Sequence, residues 1–444
     1  MKRVKPQHRP ARPARTASAQ RAPLVQIEKP IYGGAFLARV EGKATFVPLT
    51  LPGEQVRVRI VDDKRSYTAA EPEQIVAPAP SRIVPGCPHF GECGGCHYQH
   101  ANYETQLELK KTILRETLER GGVKVPENIE VLAGDPWQYR NRIRIALDGQ
   151  GRVGYRSRRS HEIVPIGACP IAAPLLVRAA LSAAQILRDR RHVFKPVEIS
   201  LFCNADETEM LASIFLPETA SNALGPFATA WKERVEALAG VELVLEGGQN
   251  ALPRTIERRG ATSIIYSAGD IKYRVDHGAF FQVNRWLVEA LVDRVTAGRR
   301  GSVAWDLFAG VGLFARRLAD SFEHVVAIEA SPAATQALAW NLQDTSGRSV
   351  DADTLAFLKS STKAPRPDLI VVDPPRTGLG PEATALIAGV AAPRIVYVSC
   401  DPATLARDLR VLTGAGYALG SVTLADLFPQ TFHLETVVEL HRSG

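Results

Sequence analysis

The chain has 444 residues, of which 45% are hydrophobic and 23% charged, with 54 Lys and Arg against 47 Asp and Glu. That length implies two or three domains with sizeable cores, and the composition is that of an ordinary globular protein. No apolar run approaches the ~20 residues of a membrane span, and the start lacks the apolar stretch of a signal peptide, so a cytoplasmic protein with no membrane partner is expected.

The net charge of +7 lies at one end. Residues 1–21 hold seven Lys or Arg and no acid, and the remainder balances at 47 against 47. This segment reads as a disordered basic tail, which either contacts nucleic acid non-specifically or only aids solubility. Residues 22–80 read as a small β-barrel domain. Alternating stretches such as Ala44-Thr45-Phe46-Val47-Pro48 and Gln55-Val56-Arg57-Val58-Arg59-Ile60-Val61 are separated by Gly and Pro turns, a pattern that suits an OB-like oligonucleotide-binding barrel. Residues 81–100 are loop-like and cysteine-rich. Tyr103 to Arg120 has helical periodicity, closed by Gly121-Gly122.

Residues 81–270 read as a central α+β domain. Within it, Arg140, Arg142, Arg144, Arg152, Arg156, Arg158 and Arg159 cluster with Tyr139 and Tyr155 interleaved, which fits phosphate contacts with base stacking; a solvated strand face is the alternative. From 271 to 444 apolar strands alternate with helices: Val303–Phe308, Val325–Glu329, Leu369–Asp373, Ile395–Cys400, Tyr417–Leu424 and Thr436–Leu440. That alternation predicts an α/β domain with a mostly parallel, doubly wound sheet, whose ligands bind beyond the carboxyl ends of the strands.

Four constellations carry chemistry. Cys87, Cys93 and Cys96 can wrap one metal centre, with Cys169 in Gly167-Ala168-Cys169-Pro170 as fourth ligand. Either an iron–sulfur cluster or a four-thiolate zinc site fits the spacing, and His89, His97 or His100 could replace Cys169. Cys203 lies in an apolar run and reads as core. Asp306-Leu307-Phe308-Ala309-Gly310-Val311-Gly312 follows a strand, with Ala315 where a third fingerprint glycine would stand. Together with Glu329 at the end of the next strand it favours an adenosine-type ligand. Asp373-Pro374-Pro375-Arg376 ends another strand. Cys400, at a fourth strand end, and Glu435 pair a nucleophile with a base: a thiolate adds to an electron-poor ring carbon, and a carboxylate later removes a ring proton.

In this order the motifs resemble the bacterial RNA (uracil-5-)-methyltransferases, specifically their iron–sulfur-containing 23S ribosomal RNA branch. The resemblance covers the chain from about residue 22. It implies a TRAM domain over 22–80, carried by Phe46-Val47-Pro48 and Leu51-Pro52-Gly53-Glu54. It implies a [4Fe–4S] cluster on Cys87, Cys93, Cys96 and Cys169, and a class I, Rossmann-like S-adenosylmethionine-dependent methyltransferase domain over 271–444. Cofactor contacts fall on Gln282 (in Phe280-Phe281-Gln282-Val283-Asn284), Phe308, Gly310, Gly312, Glu329, Asp353 and Asp373; Leu313 departs from the small polar residue often found there. Cys400 would be the nucleophile and Glu435 the base in forming 5-methyluridine. The implied partner is RNA, 23S ribosomal RNA first, and the implied state a monomer. A transfer-RNA enzyme, a cytosine-C5 enzyme and a non-catalytic iron–sulfur RNA-binding protein are the rival readings.

Overall fold

A computed structural model describes residues 22–189, 194–217, 224–247, 253–361 and 366–442. The basic segment 1–21 lies outside the described residues. Two compact units emerge, one made of residues up to Lys29 with Ala35–Ala79, the other of Pro30–Gly34 with Pro80–Gly444. No helix among the described residues is long and apolar enough to cross a membrane.

The smaller unit is all β, as expected. Its strands are β1 (Leu24–Gln26), β2 (Lys29–Pro30), β3 (Ala35–Val40), β4 (Lys43–Pro48), β5 (Gln55–Asp63) and β6 (Thr68–Ala77), in the order β1-β5-β6-β4-β3-β2. Alternation turns Phe36, Ala38, Val47, Val56 and Val58 into a common interior where each is fully buried. Register shifts along β5 and β6 bend the ribbon.

In the larger unit, α1 (Tyr103–Arg120) starts at Asn102, whose side chain accepts from the Thr105 amide. It is followed by β7 (Glu130–Leu132). A seven-stranded sheet then forms from β8 (Arg142–Leu147), β9 (Val153–Arg156), β10 (Ile163–Pro165), β11 (Glu198–Cys203), β12 (Met210–Leu216), β13 (Leu238–Leu245) and β14 (Arg254–Gly260), ordered β10-β9-β8-β11-β12-β13-β14. Helices α2 (Pro174–Asp189) and α3 (Leu224–Arg234) pack on it through Ala179, Ala180, Phe227 and Trp231. Cys203 is fully buried in that core, as its apolar run predicts. A hairpin, β15 (Ser263–Ala268) with β16 (Ile271–Asp276), leads into the last domain.

That domain alternates α4 (Val288–Thr296), β17 (Gly301–Leu307), α5 (Leu313–Leu318), β18 (Phe322–Glu329), α6 (Pro332–Asn341), β19 (Gly347–Asp351), α7 (Thr354–Ser360), β20 (Leu369–Val372), α8 (Gly380–Val390), β21 (Arg394–Ser399), α9 (Pro402–Gly414), β22 (Tyr417–Ala425) and β23 (Glu435–Arg442). The sheet order is β19-β18-β17-β20-β21-β23-β22-β7. β19 to β21 run parallel, and β23 is antiparallel to both β21 and β22. Leu369, Ile370, Val371 and Val372 are fully buried because helices cover both faces of a parallel sheet. The eighth strand, β7, is drawn from far upstream and pairs parallel to β22.

The connection from β22 to β23, residues 426–434, is pinned to α1. Lys110 Nζ lies 2.6 Å from Asp426 Oδ1, with both side chains fully buried, and also donates to the Phe428 carbonyl at 2.9 Å. Tyr103 donates its hydroxyl to the other carboxylate oxygen at 2.9 Å. Burial opposes the lysine's charge and Asp426 sustains it. Lys110→Met strands the carboxylate, so it is expected to destabilise the larger unit by about 3–5 kcal/mol. Urea titration followed by tryptophan fluorescence measures this; a loss under about 1 kcal/mol, the range of an exposed pair, refutes the buried role.

Candidate active site

Six strand ends of the last domain carry the expected residues. β17 delivers Asp306 and then a turn with left-handed backbone at Phe308 (φ 66°), Gly310 (φ 56°) and Gly312 (φ 88°). Gly312 is required twice over: its φ is positive, and a Cβ there would meet Leu338 at 2.7 Å. Phe308 bears left-handed strain without being glycine, a feature that clusters at ligand sites. Glu329, ending β18, ties this turn down. Its Oε2 accepts from the Gly310 amide at 2.8 Å, and its Oε1 accepts from Ala330 and Ser331 at 3.0 and 2.6 Å. Asp353, after β19, is exposed and caps α7 by accepting from the Ala356 amide at 3.1 Å.

Asp306 is fully buried. Its Oδ2 accepts from the Ala315 amide at 2.8 Å while Oδ1 has no partner. Burial, with Asp373 and Glu329 nearby, pushes its carboxyl up to about 8. Asp373 follows β20 and receives Gln282 Nε2 at 3.4 Å; burial raises its carboxyl too. Gln282 is placed from the seven-stranded sheet, because Asn141 donates its side-chain amide to the Gln282 carbonyl at 2.9 Å and its backbone amide to Val283 at 3.0 Å.

Cys400 and Glu435 meet through strand register. β21 and β23 pair antiparallel with Ser399 opposite Thr436, which sets the next residue of one strand beside the preceding residue of the other. Asp401 caps α9 by accepting from Ala403 and Thr404, both at 3.0 Å, and so fixes the turn that carries the thiol. Burial, then the charges of Glu435 and Asp373, push the Cys400 thiol up to about 12; Arg376 opposes them. Glu435 is held well above the usual carboxylate range by burial and by Asp373, again opposed by Arg376. A half-buried thiol beside two elevated carboxyls, Glu435 and Asp373, suits a nucleophile and base next to a cationic ligand.

Three neighbours escaped sequence reasoning. Tyr32 is raised by burial and by a hydrogen bond to Asp401, and its ring meets Phe432 edge-on at 5.7 Å. His433 is pushed down to about 3 by burial and Arg376. Asn141 sits inside the arginine run with nothing local to mark it. The arginine run is put to more than one use. Tyr139 is fully buried and donates to the Pro429 carbonyl at 3.0 Å. Arg142 lies over the Phe202 ring and donates to the Ala279 carbonyl at 2.8 Å. Arg144 pairs with Glu198 and Arg152 with Asp148. Arg142 is thus taken up in packing, while Arg144, Arg152, Arg156 and Arg159 remain exposed.

Cys87, Cys93, Cys96 and Cys169 all line one cavity of about 370 Å³, together with Arg140, Tyr155 and His433. Burial raises Cys93 and Cys169 and pushes Cys96 up to about 12. Among the described residues no group of three or more His, Cys, Asp or Glu is arranged to hold a single metal ion.

Comparison with known proteins places these features. Residues 262–443 match the tRNA (Uracil-5-)-methyltransferase family model and residues 24–72 the TRAM domain. An uncharacterized RNA methyltransferase of Thermotoga maritima is 33% identical, covering 94% of this chain and 98% of its own. The 23S rRNA (uracil(1939)-C(5))-methyltransferase RlmD of Klebsiella pneumoniae subsp. pneumoniae is 32% identical over 92% of this chain and 93% of its own. The crystal structure of Pyrococcus abyssi tRNA (uracil-54, C5)-methyltransferase with S-adenosyl-L-homocysteine shares the fold at a TM-score of 0.76, with 24% identity over 94% of this chain and 100% of that one. The expected architecture, a TRAM unit ahead of a class I methyltransferase domain, is therefore present, and the chain belongs to the RNA (uracil-C5-)-methyltransferase family.

Proposed function

We propose that the protein methylates C5 of a uridine in 23S ribosomal RNA, with Cys400 as nucleophile and Glu435 as base. The observation that carries this reading is the β21–β23 register, which sets Cys400 and Glu435 side by side next to Asp373. The relatives named for ribosomal RNA, which span nearly the whole chain, favour that substrate over transfer RNA.

S-adenosylmethionine, when bound, supplies an electrophilic methyl group. The donor set fits such a cation: Asp306 has a buried oxygen without a partner, and Asp306 and Asp373 are both elevated by burial. Gln282, Phe308, Gly310, Gly312, Glu329, Asp353 and Asp373 hold the cofactor in this reading. Glu329, fixed by three backbone amides, serves ribose hydroxyls.

The target uracil must leave its stack for the thiol to reach one face of the ring. Cys400, once ionised, adds to C6, and the C5–C6 electrons move onto C4–O4 as an enolate. C5 then takes the methyl group, whose donor would be left as the neutral thioether. Glu435 removes the C5 proton, the C5=C6 double bond reforms, and the thiolate leaves. A raised carboxyl is a stronger base than an ordinary carboxylate once ionised. The readout is mass-spectrometric mapping of 5-methyluridine in ribosomal and transfer RNA from cells with and without the gene. Loss at a 23S position is expected; loss confined to transfer RNA overturns the substrate.

Glu435→Gln should stall elimination and trap a covalent protein–RNA complex. Because the wild-type carboxyl and thiol are both raised, their ionised forms are lost as pH falls through those elevated values, so wild-type turnover should fall with pH. A denaturing gel free of slow-migrating adduct, with turnover intact, rules out Glu435 as the base.

The cysteine cavity fits a [4Fe–4S] cluster on Cys87, Cys93, Cys96 and Cys169. Supporting this are four thiols on one cavity, three of them within ten residues and the fourth far along the chain. Uracil methylation involves no electron transfer, so the cluster's part is to tie the loop 87–96 to the segment around Cys169. Anaerobically purified protein is expected to hold about four irons and as many sulfides; one zinc without iron refutes the cluster and leaves the methylation chemistry standing.

A further inference from the structure

The reaction as derived leaves one charged group at the pocket without a task. Arg376 stands on the loop between β20 and α8, and its guanidinium is exposed. Its side chain donates to His433 Nδ1 at 3.3 Å, and His433, pushed down to about 3, is neutral and able to accept. Among the described residues no carboxylate pairs with it. Its neighbour Arg407 is different: that guanidinium lies 2.9 Å from Asp408 Oδ1 and is satisfied. Arg376 is a cation kept free.

The loop that carries it is held firmly. Thr404 donates its hydroxyl to the Arg376 carbonyl at 3.2 Å. Arg407 donates to the Thr377 carbonyl at 2.8 Å, and the Gly378 amide to the Pro375 carbonyl at 2.8 Å. The Leu379 amide reaches buried Asp408, itself fixed by the Tyr397 hydroxyl, both at 2.8 Å. Pro374 and Pro375 restrict the backbone before it. A long side chain on a loop this constrained is aimed in advance, which lowers the entropy lost when it binds.

Its charge reaches the pocket, because it acts on Cys400, Glu435, Tyr32 and His433 alike. Yet it does not hold the thiol low, since Cys400 stands at about 12 with Arg376 beside it. The cation therefore has capacity left for an outside anion. A flipped uridine brings one: its base enters the pocket and its phosphates stay at the rim. Guanidinium is the side chain best matched to a phosphate, with a planar fork of donors.

We propose that Arg376 binds a phosphodiester of the target nucleotide and so holds the RNA backbone while the uracil reaches Cys400. This rests on the RNA-methyltransferase reading above. The test uses full-length protein and an RNA hairpin containing the methylated uridine. Arg376→Met and Arg376→Lys are made both alone and with Cys400→Ala, so that binding is measured without chemistry. Arg376→Met should weaken RNA binding about tenfold and reduce the slope of log affinity against log salt by about one, the signature of one lost phosphate contact. Arg376→Lys should restore the slope. KM for RNA should rise with kcat nearly constant, and the pH profile of Cys400 alkylation by iodoacetamide should not move. An unchanged salt slope with an alkylation profile shifted to higher pH overturns the proposal and gives the cation to the thiol. Wild-type protein without salt-dependent affinity for the hairpin overturns the RNA reading and the grip together. Wild-type binding with no loss in Arg376→Met overturns the grip alone.

Discussion

The buried pair of Lys110 and Asp426 is the constraint on which the rest depends. Glu435 is the first residue of β23, so its position is set by whatever holds the preceding connection. That connection buries Asp426, Gln430 and Thr431 almost completely, and buried polar groups must be matched one by one. α1 supplies most of the matching. Lys110 and Tyr103 take Asp426, and Gln106 exchanges two bonds of 2.9 Å with Gln430. Two charges withdrawn from water are tolerable only when each has the other and further donors. Here the ion pair joins a helix from early in the chain to a loop near its end, and β23, with Glu435 as its first residue, starts where that loop stops.

The second organising fact is an accumulation of acid. Asp306, Asp373 and Glu435 are all buried and all raised above the usual carboxylate range. Such crowding costs stability, and proteins retain it where a site needs it. A cationic ligand relieves the crowding by favouring the ionised carboxylates. The thiol shares that field, and burial with the charges of Glu435 and Asp373 raises it.

Much of this was legible in the residues, for reasons that also explain what was not. The strands around Val303, Val325, Leu369 and Ile395 were readable because parallel strands buried on both faces are unbroken β-branched runs. α1 was readable from its helical periodicity and from Gly121-Gly122, which stop it. The thiol and carboxylate pairing followed from motif order, although only strand register brings the two together. Tyr32, Asn141 and β7 were invisible because each acts on residues more than a hundred positions away. Within the arginine run, Arg142 and Arg144 each lie over an aromatic ring, a contact that charge patterning alone does not show and that a planar, weakly hydrated guanidinium allows. Asp353 was picked out for a ligand and is occupied in part as a helix cap.

One carbonyl joins the two halves of the site. Gln430, held in left-handed backbone at φ 67°, accepts from the amides of both His97 and Tyr98, at 2.8 and 3.0 Å. Those amides belong to the two residues directly after Cys96. The thiol loop and the loop leading to Glu435 therefore share an anchor with no slack in it. An insertion of one residue after Cys96, or between Gln430 and Glu435, would shift one loop against the other, so chain length at both places is locked and drift at either must be answered at the other.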